Sequence, residues 1–271
     1  MKEKVKYVFV ILVYKNTDDL DECLTSIESK VKSYKAVIVN AFYDDLSMHN
    51  AEDVARKHHC DFINIENKGY SYGNNRGIEF AKEHYDLDYV IVSNPDIIIE
   101  SFEDSLIDDK FGYDVIAPRI TTASGRRQNP MSIKKSRLSE YLEYVGFKKN
   151  SNLFIYAGIL ISKIKRQWYS LIKSIGRKSV YKIYGAHGSF VILSRTLISK
   201  LVPVYDENIF LFAEEGVLAS KCEEVGMKTC YYDNIHILHK EDGSMRLSDF
   251  SVNKELQKAN IYYYEHYIHK K

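Results

Sequence analysis

Cysteine is scarce in this chain of 271 residues: Cys23, Cys60, Cys222 and Cys230 stand far apart, without paired ligand spacing. That excludes a disulfide scaffold and a thiolate metal site, and reads as reduced core thiols in a cytoplasmic protein. Also missing is any uncharged apolar run approaching the length of a membrane span. The opening Met-Lys-Glu-Lys-Val-Lys leads into one short apolar run, Tyr7 to Val13. No small-residue cleavage site follows it, so it reads as a first strand rather than a signal peptide. There is no Gly-x-Gly-x-x-Gly and no Walker lysine loop, which removes support for dinucleotide enzymes and ordinary NTPases. No internal repeat or low-complexity segment is evident.

What is present is a chain 45% hydrophobic, long enough for one large domain with an insertion. Strands are expected at 7–13, 36–39, 62–65, 89–93 and 114–117. Helices are expected between them: one capped by Asn16-Thr17-Asp18-Asp19 and built on Leu20, Leu24, Ile27 and Val31, then 51–59 and 73–84. Such alternation predicts βαβ units and an α/β fold with a mostly parallel, Rossmann-like sheet. After Pro118 the rhythm changes, and 121–130 reads as loop.

The formal net charge of +1 conceals an asymmetry. From Thr121 to Tyr184 fourteen Lys or Arg face two acids, Glu140 and Glu143, a local balance of +12 against −11 for the remainder. Such a segment predicts an acidic surface partner. Within it Ile161, Ile164, Trp168, Ile172 and Ile175 recur at helical gaps, with Lys163, Lys165, Arg166 and Lys173 opposite. This is a basic amphipathic helix, either packed on the core with a solvated charged face or lying on anionic lipid. No nucleic-acid-binding motif accompanies the charge, so no nucleic-acid partner is expected. Regular structure is expected again from Gly185 to Ser194, in a helix from Glu214-Glu215 to Gly226, and in a strand ending at His236-Ile-Leu-His239. The tyrosine-rich tail, Ile261 to His269, offers a second surface contact or a homodimer interface.

The strongest functional signal joins two segments. Asn67-Lys-Gly-Tyr-Ser-Tyr-Gly-Asn-Asn-Arg-Gly77 is a loop suited to a polar ligand. Tyr89 to Ser93 is a buried strand halted at Asn94-Pro95-Asp96, which delivers a carboxylate to the carboxyl end of a central strand, where open α/β sheets bind ligands. Asp96 reads either as a turn former or as a ligand of Mn²⁺ or Mg²⁺ on a diphosphate. His239 reads either as a packed residue or as a nitrogen ligand, in the pattern His239-x-x-x-Gly243-Ser244. Glu214-Glu215 reads either as ordinary first-turn acids or as a general base. Gly73 and Gly77 read either as ligand contacts or as close helix–sheet packing.

Several blocks together carry a resemblance. They are Val13-Tyr14-Lys15-Asn16, Asn67 to Ile78, Ser93-Asn-Pro-Asp96, Ala117-Pro-Arg-Ile120, Gly185-Ala-His-Gly-Ser189, Tyr205 to Glu215 and His239 to Ser244. In this order they resemble inverting family-two glycosyltransferases of the GT-A fold, in particular the rhamnosyltransferase-like branch of bacterial surface-polysaccharide synthesis. The resemblance implies that Tyr14, Asn40, Asn67, Gly69, Gly73, Asn74, Asn75 and Asn94 hold a dTDP- or UDP-linked sugar donor. It also implies that Asp96 and His239 bind the metal, and that Glu215, with Glu214 beside it, is the base. Relatives usually end the second strand with an Asp; here Asn40 stands there, with Asp44 as the other candidate. The implied acceptor is a lipid-linked glycan for capsule or cell wall, and the implied location is cytoplasmic, peripheral on the inner membrane face. The expected organisation is a donor-binding half over 1–120, a basic insertion over 121–184, an acceptor and catalytic half over 185–250 and a helical tail over 251–271. A catalytically inactive nucleotide-sugar-binding subunit and a nucleotidyltransferase are the alternatives; the latter lacks a glycine-rich loop after the first strand.

Overall fold

The computed structural model describes residues 2–15, 17–108, 110–175, 179–241 and 251–269, with the backbone alone over 170–175. Strands and helices alternate through the first half: β1 (Glu3–Val13), α1 (Asp18–Lys30), β2 (Tyr34–Ala41), α2 (Asp45–Lys57), β3 (Asp61–Ile65), α3 (Tyr70–His84) and β4 (Tyr85–Ser93). The four strands pair in parallel in the order β3-β2-β1-β4. Both faces of this sheet are covered. Phe9 and Ile11 of β1 pack with Leu20, Leu24 and Ile27 of α1, while Val8 and Val10 pack with Ile78 and Ala81 of α3. Two-sided burial is why these strands read as continuous apolar runs.

Beyond β4 the sheet becomes mixed. β8 (Phe190–Ser194) lies antiparallel to β4 and to β6 (Val115–Thr122), and β9 (Thr229–His239) runs parallel to β6. The first part of β9 also pairs with β7 (Val180–Ile183), and its last part with β5 (Ile97–Phe102), both antiparallel. β5, β7 and the helices α4 (Arg137–Lys148) and α6 (Arg195–Lys200) have no counterpart in the sequence expectations. β6 runs on through Thr122, into the expected loop, because Arg119 to Thr122 find partners in His236 to His239. α7 (Glu214–Glu224) stops before Gly226, whose φ of 74° ends it as expected.

α5 (Asn152–Ile175) begins well before Ile161 and packs against α4. Ile164 and Trp168 are 55% and 65% exposed, which overturns the reading that this helix buries its apolar face on the core. The side chains of Ile172, Lys173 and Ile175 lie outside the described residues. The tail forms α8 (Val252–Tyr263) and a π-helical turn, Tyr264–Ile268, and docks on α7 through Ile209, Val217, Ala259 and Tyr263.

Candidate active site

The carboxyl edge of the parallel strands gathers the first part of the site. The registers Val13↔Asn40 and Ile11↔Ser93 set the residues after β1, the end of β2 and the Asn94-Pro95-Asp96 link side by side. The chain then reverses into β5, whose Ile97 pairs with His239 of β9. That pairing delivers His239 to Asp96, Nε2 lying 3.3 Å from Oδ1.

Both groups are almost inaccessible, at 3% for Asp96 and 7% for His239. His239 Nδ1 is 2.9 Å from Gln128 Oε1, and Gln128 Nε2 donates to Glu241 Oε1 at 3.0 Å. Glu241 is acceptor-only, so the Gln128 amide must turn its oxygen toward the imidazole. Nδ1 therefore carries a proton, and in the neutral imidazole Nε2 faces Asp96 with a lone pair. Asp96 Oδ1 has no hydrogen-bond partner. In that neutral form two buried lone-pair donors face each other, an arrangement costly alone and satisfied by a cation between them. The pair thus fits a divalent metal with mixed oxygen and nitrogen ligation. Among the described residues no group of three His, Cys, Asp or Glu side chains gathers, which suits an ion that takes further ligands from substrate and water. Gly243 and Ser244 of the expected pattern lie outside the described residues.

Glu215 enters from α7. The preceding Phe212 and Ala213 both have positive φ, 73° and 61°, a strained turn of the kind held at functional sites. Adjacent in the first turn of α7, the two carboxylates diverge by the helical rotation per residue. Glu215 Oε1 accepts from Gly188 N–H at 3.2 Å, and Tyr70 Oη donates to Gly188 O at 2.8 Å. A Cβ on residue 188 would stand 3.2 Å from that carboxylate oxygen. Glu214 turns inward and is buried, with Oε2 unpartnered. Burial, and then the neighbouring Glu215, push its pKa well above the usual carboxylate range.

His187 lies between the Asp96–His239 pair and Glu215. Its backbone N–H donates to Asn129 Oδ1 at 2.8 Å, and its ring lies 5.9 Å from that of His239. Burial lowers its pKa, with Glu215 acting in the opposite sense. Asn94 N–H donates to Ser189 O at 2.9 Å, tying this loop to the Asp96 link. Asp96, His239, His187, Gly188 and Glu215 therefore form one contiguous wall. Sequence reasoning missed His187 and Gln128 as site residues. The flanking glycines of Gly185-Ala-His-Gly-Ser189 were a signal for the first; the second had none.

The expected donor-binding residues divide by location. Asn67 Oδ1 accepts from Gly69 N–H at 3.2 Å. Gly69 has φ 98° and a Cβ there would meet Phe210 O at 2.3 Å, so only glycine lets Tyr70 N–H reach that carbonyl at 2.7 Å. This contact anchors the start of α3 to the segment carrying Glu215; of the expected loop only Asn67 to Gly69 is non-helical, because Tyr70 to Gly77 form the first turns of α3. Gly73 and Gly77 press against Leu12 and Val10 of β1, the close-packing alternative. Asn75 spends its amide on Tyr205 N–H, Tyr205 O and Glu207, and Asn74 Nδ2 donates to Tyr70 O while its buried Oδ1 has no partner. Asn40 Nδ2 donates to Asn64 Oδ1 at 2.8 Å. Asp44 caps α2, where its hydrogen bonds with Ser47 hold its pKa low, which leaves Asn40 as the polar group in β2 at this edge. Tyr14 sits edge-on to Tyr43, ring centroids 5.9 Å apart, with Lys15 Nζ 3.9 Å above the Tyr43 ring. Phe42 and Tyr43 are exposed beside it, a surface on which a planar base can stack.

No family model and no curated relative matches the sequence. Solved structures do. A mannosyltransferase from Pyrobaculum calidifontis, PcManGT, in complex with GDP-Man and Mn²⁺, aligns at a TM-score of 0.52 and 12% identity over 96% of this chain and 70% of its own. GalNAc-T7 with UDP, GalNAc and Mn²⁺ aligns at 0.59 and 11%, over 97% of this chain and 49% of its own. TarS from S. aureus aligns at 0.55 and 12%, over 95% and 43%. The chain thus spans less than half of the last two. At such identities the likeness shows the fold: the chain has the GT-A architecture, a central sheet flanked by helices.

Proposed function

We propose that this protein is a divalent-metal-dependent glycosyltransferase that moves a sugar from a nucleotide-diphosphate donor to a hydroxyl of a glycan acceptor with inversion. The observation that carries the reading is the buried pair Asp96 Oδ1 and His239 Nε2, 3.3 Å apart, on the same wall as Glu215. The binding of GDP-Man or UDP with Mn²⁺ by structural neighbours supports the same class.

Asp96 and His239 would hold Mn²⁺ or Mg²⁺ against the donor diphosphate. Bound there, the ion offsets charge growing on the departing nucleotide. Tyr14 and Tyr43 would flank the base, with Asn40 as its polar contact. Asn67, Gly69, Gly73, Asn74, Asn75 and Asn94 would shape and rigidify the donor cleft. Gly188 N–H steers one oxygen of Glu215, leaving the other for the acceptor hydroxyl. Glu215 takes that proton as the hydroxyl oxygen attacks the anomeric carbon and the carbon–oxygen bond to the diphosphate breaks on the opposite face, with oxocarbenium-like character between. The buried Glu214, whose pKa burial raises, would support this turn rather than face the acceptor. Residues 1–120 then serve the donor, 185–250 the chemistry, and 121–184 and 251–271 the acceptor side. The motif blocks favour rhamnose from a dTDP- or UDP-linked donor, a lipid-linked acceptor in capsule or cell-wall synthesis, and a peripheral place on the inner membrane face.

The test is metal-dependent turnover across a panel of nucleotide sugars. Asp96→Ala should abolish it and weaken donor binding. Glu215→Gln should keep donor binding and lose about 10²-fold or more in kcat, the scale of a lost general base. Full activity in the Gln variant removes Glu215 from the role, and no turnover with any donor favours the inactive-subunit alternative.

A further inference from the structure

The α4–α5 hairpin carries features that the transfer chemistry does not use. Its helices approach closely because Gly146 and Gly158 lack side chains: a Cβ on residue 158 would fall 2.8 Å from Ser139 O. Ser139 Oγ donates to Gly158 O at 2.6 Å and joins the pair. The outer face of α5 remains uncovered. Leu153, Tyr156, Leu160, Ile164 and Trp168, at gaps of three and four, are each more than half exposed. They form one stripe along the helix. A contiguous apolar surface of this size on a water-facing helix marks an interaction site.

Beside the stripe lies a cavity of about 330 Å³ between residues 131–136 and α5. Lys134, Lys163, Lys165 and Arg166 line it. None of the four is paired with a carboxylate among the described residues; Lys165 Nζ instead donates to Ser136 Oγ at 2.8 Å. Glu140 and Glu143 are also in its wall, and burial raises the pKa of both, that of Glu143 to about 6. A second recess, lined by Lys134, Lys135 and Lys165, is completed by Ile164 and Trp168 of the stripe. Lys135 is paired with Glu223 at 3.0 Å, but Lys134, Lys163, Lys165 and Arg166, free of carboxylate partners among the described residues, share one surface with the exposed apolar side chains. The cavity also adjoins the candidate active site. Ser132 in its wall pairs with Gly185, and Tyr184 faces it, immediately before the loop whose Gly188 N–H holds Glu215.

We propose that this cavity binds the diphosphate headgroup of a lipid seated in an anionic bilayer, with the α5 stripe lying in the bilayer interface. The inference rests on the transferase reading above and names its acceptor as an amphiphile. A water-soluble diphosphate would engage the cations but leave the stripe without a role. A bilayer accounts for both, because cations next to exposed Trp and aliphatic side chains match the charged and apolar layers of a membrane surface. Among the described residues no helix is long and apolar enough to cross a membrane, so the helix lies on the surface.

Vesicle flotation of the full chain tests this with three compositions: phosphatidylcholine alone, phosphatidylcholine with phosphatidylglycerol, and phosphatidylcholine doped with a polyprenyl diphosphate. The wild type should float best with the doped vesicles, and with anionic vesicles at low salt. Lys163→Glu/Arg166→Glu should lose about tenfold or more in affinity for the doped vesicles. Leu160→Ser/Ile164→Ser/Trp168→Ser should lose binding to all of them. Both sets change exposed or half-exposed side chains, and unaltered melting confirms folding. Failure of the wild type to float with doped vesicles overturns the proposal. So does undiminished binding by both variants, equal affinity for inorganic diphosphate in solution, or a dimer that buries the stripe and does not open to vesicles. Metal-dependent donor hydrolysis on the same preparations separates the two readings. Vesicle binding without hydrolysis defeats the transferase and leaves this site standing; hydrolysis without vesicle binding does the reverse.

Discussion

At the scale of single residues, the candidate site is governed by which groups are left unpaired. Gln128 is the clearest case. It touches neither donor nor acceptor in the proposed scheme, yet its oxygen holds the proton on Nδ1 of His239 and so aims the Nε2 lone pair at Asp96. Gln128→Leu should lower Mn²⁺ affinity by about 10–100-fold, the usual effect of removing such a supporting partner. Mn²⁺ titration followed by electron paramagnetic resonance reads this directly, without turnover. Gln128→Glu should recover much of the loss, since a carboxylate also accepts from Nδ1–H, and failure of that recovery would contradict the assigned tautomer. The two adjacent glutamates show how environment separates like residues: Glu215 reaches the cleft and is bonded by Gly188, whereas Glu214 is sealed inside.

At the scale of elements, the hairpin of α4 and α5 contains a pH-dependent weakness. Glu143 sits between the helices, where burial raises its pKa to about 6. A carboxylate whose folded pKa exceeds its unfolded value favours folding only while protonated. Its full contribution is present below about pH 4.5 and is lost as pH rises through about 6. The difference corresponds to at most about 2 kcal/mol. Glu143→Gln keeps the shape and removes the charge. It should raise Tm above pH 7 and leave it nearly unchanged at pH 4, as scanning calorimetry at both values will show. A second element-scale dependence lies at the start of α3. Gly69→Ala would force both a positive φ and a contact of 2.3 Å with Phe210 O. It should detach the start of α3 from the Glu215 segment and destabilise the chain by about 1–3 kcal/mol in urea unfolding.

At the scale of the whole molecule, the proposed metal position joins two distant parts of the chain. Asp96 ends the parallel half of the sheet, and His239 ends the mixed half. Among the described residues no third ionisable ligand gathers there, so in the proposed site metal and nucleotide would complete each other. Thermal shift should therefore show a small rise in Tm with Mn²⁺ alone and a small rise with UDP or dTDP alone. Together they should exceed the sum of the two, because each ligand raises the affinity for the other. Simple additivity would place the nucleotide and the metal at separate sites.

Local pattern alone determined the βαβ half of this protein. Continuous apolar runs from Phe9 to Val13 and from Tyr89 to Ser93, set between helical repeats, have few other ways to bury themselves on both sides. The turn at Asn94-Pro95-Asp96 and the end of α7 at Gly226 were equally legible, since proline and glycine act on the backbone where they stand. Tertiary structure decided the rest. β5 and β7 are too short to announce themselves, and exist because β9 offers each of them half of its length. The alliance of Asp96 with His239, the proton held by Gln128 and the inward turn of Glu214 depend on contacts across more than a hundred residues or on a strained turn. The stripe on α5 has the periodicity of a core helix, and the fold leaves it facing solvent. Periodicity records that a face is apolar; only the packing of the complete chain determines whether that face is covered.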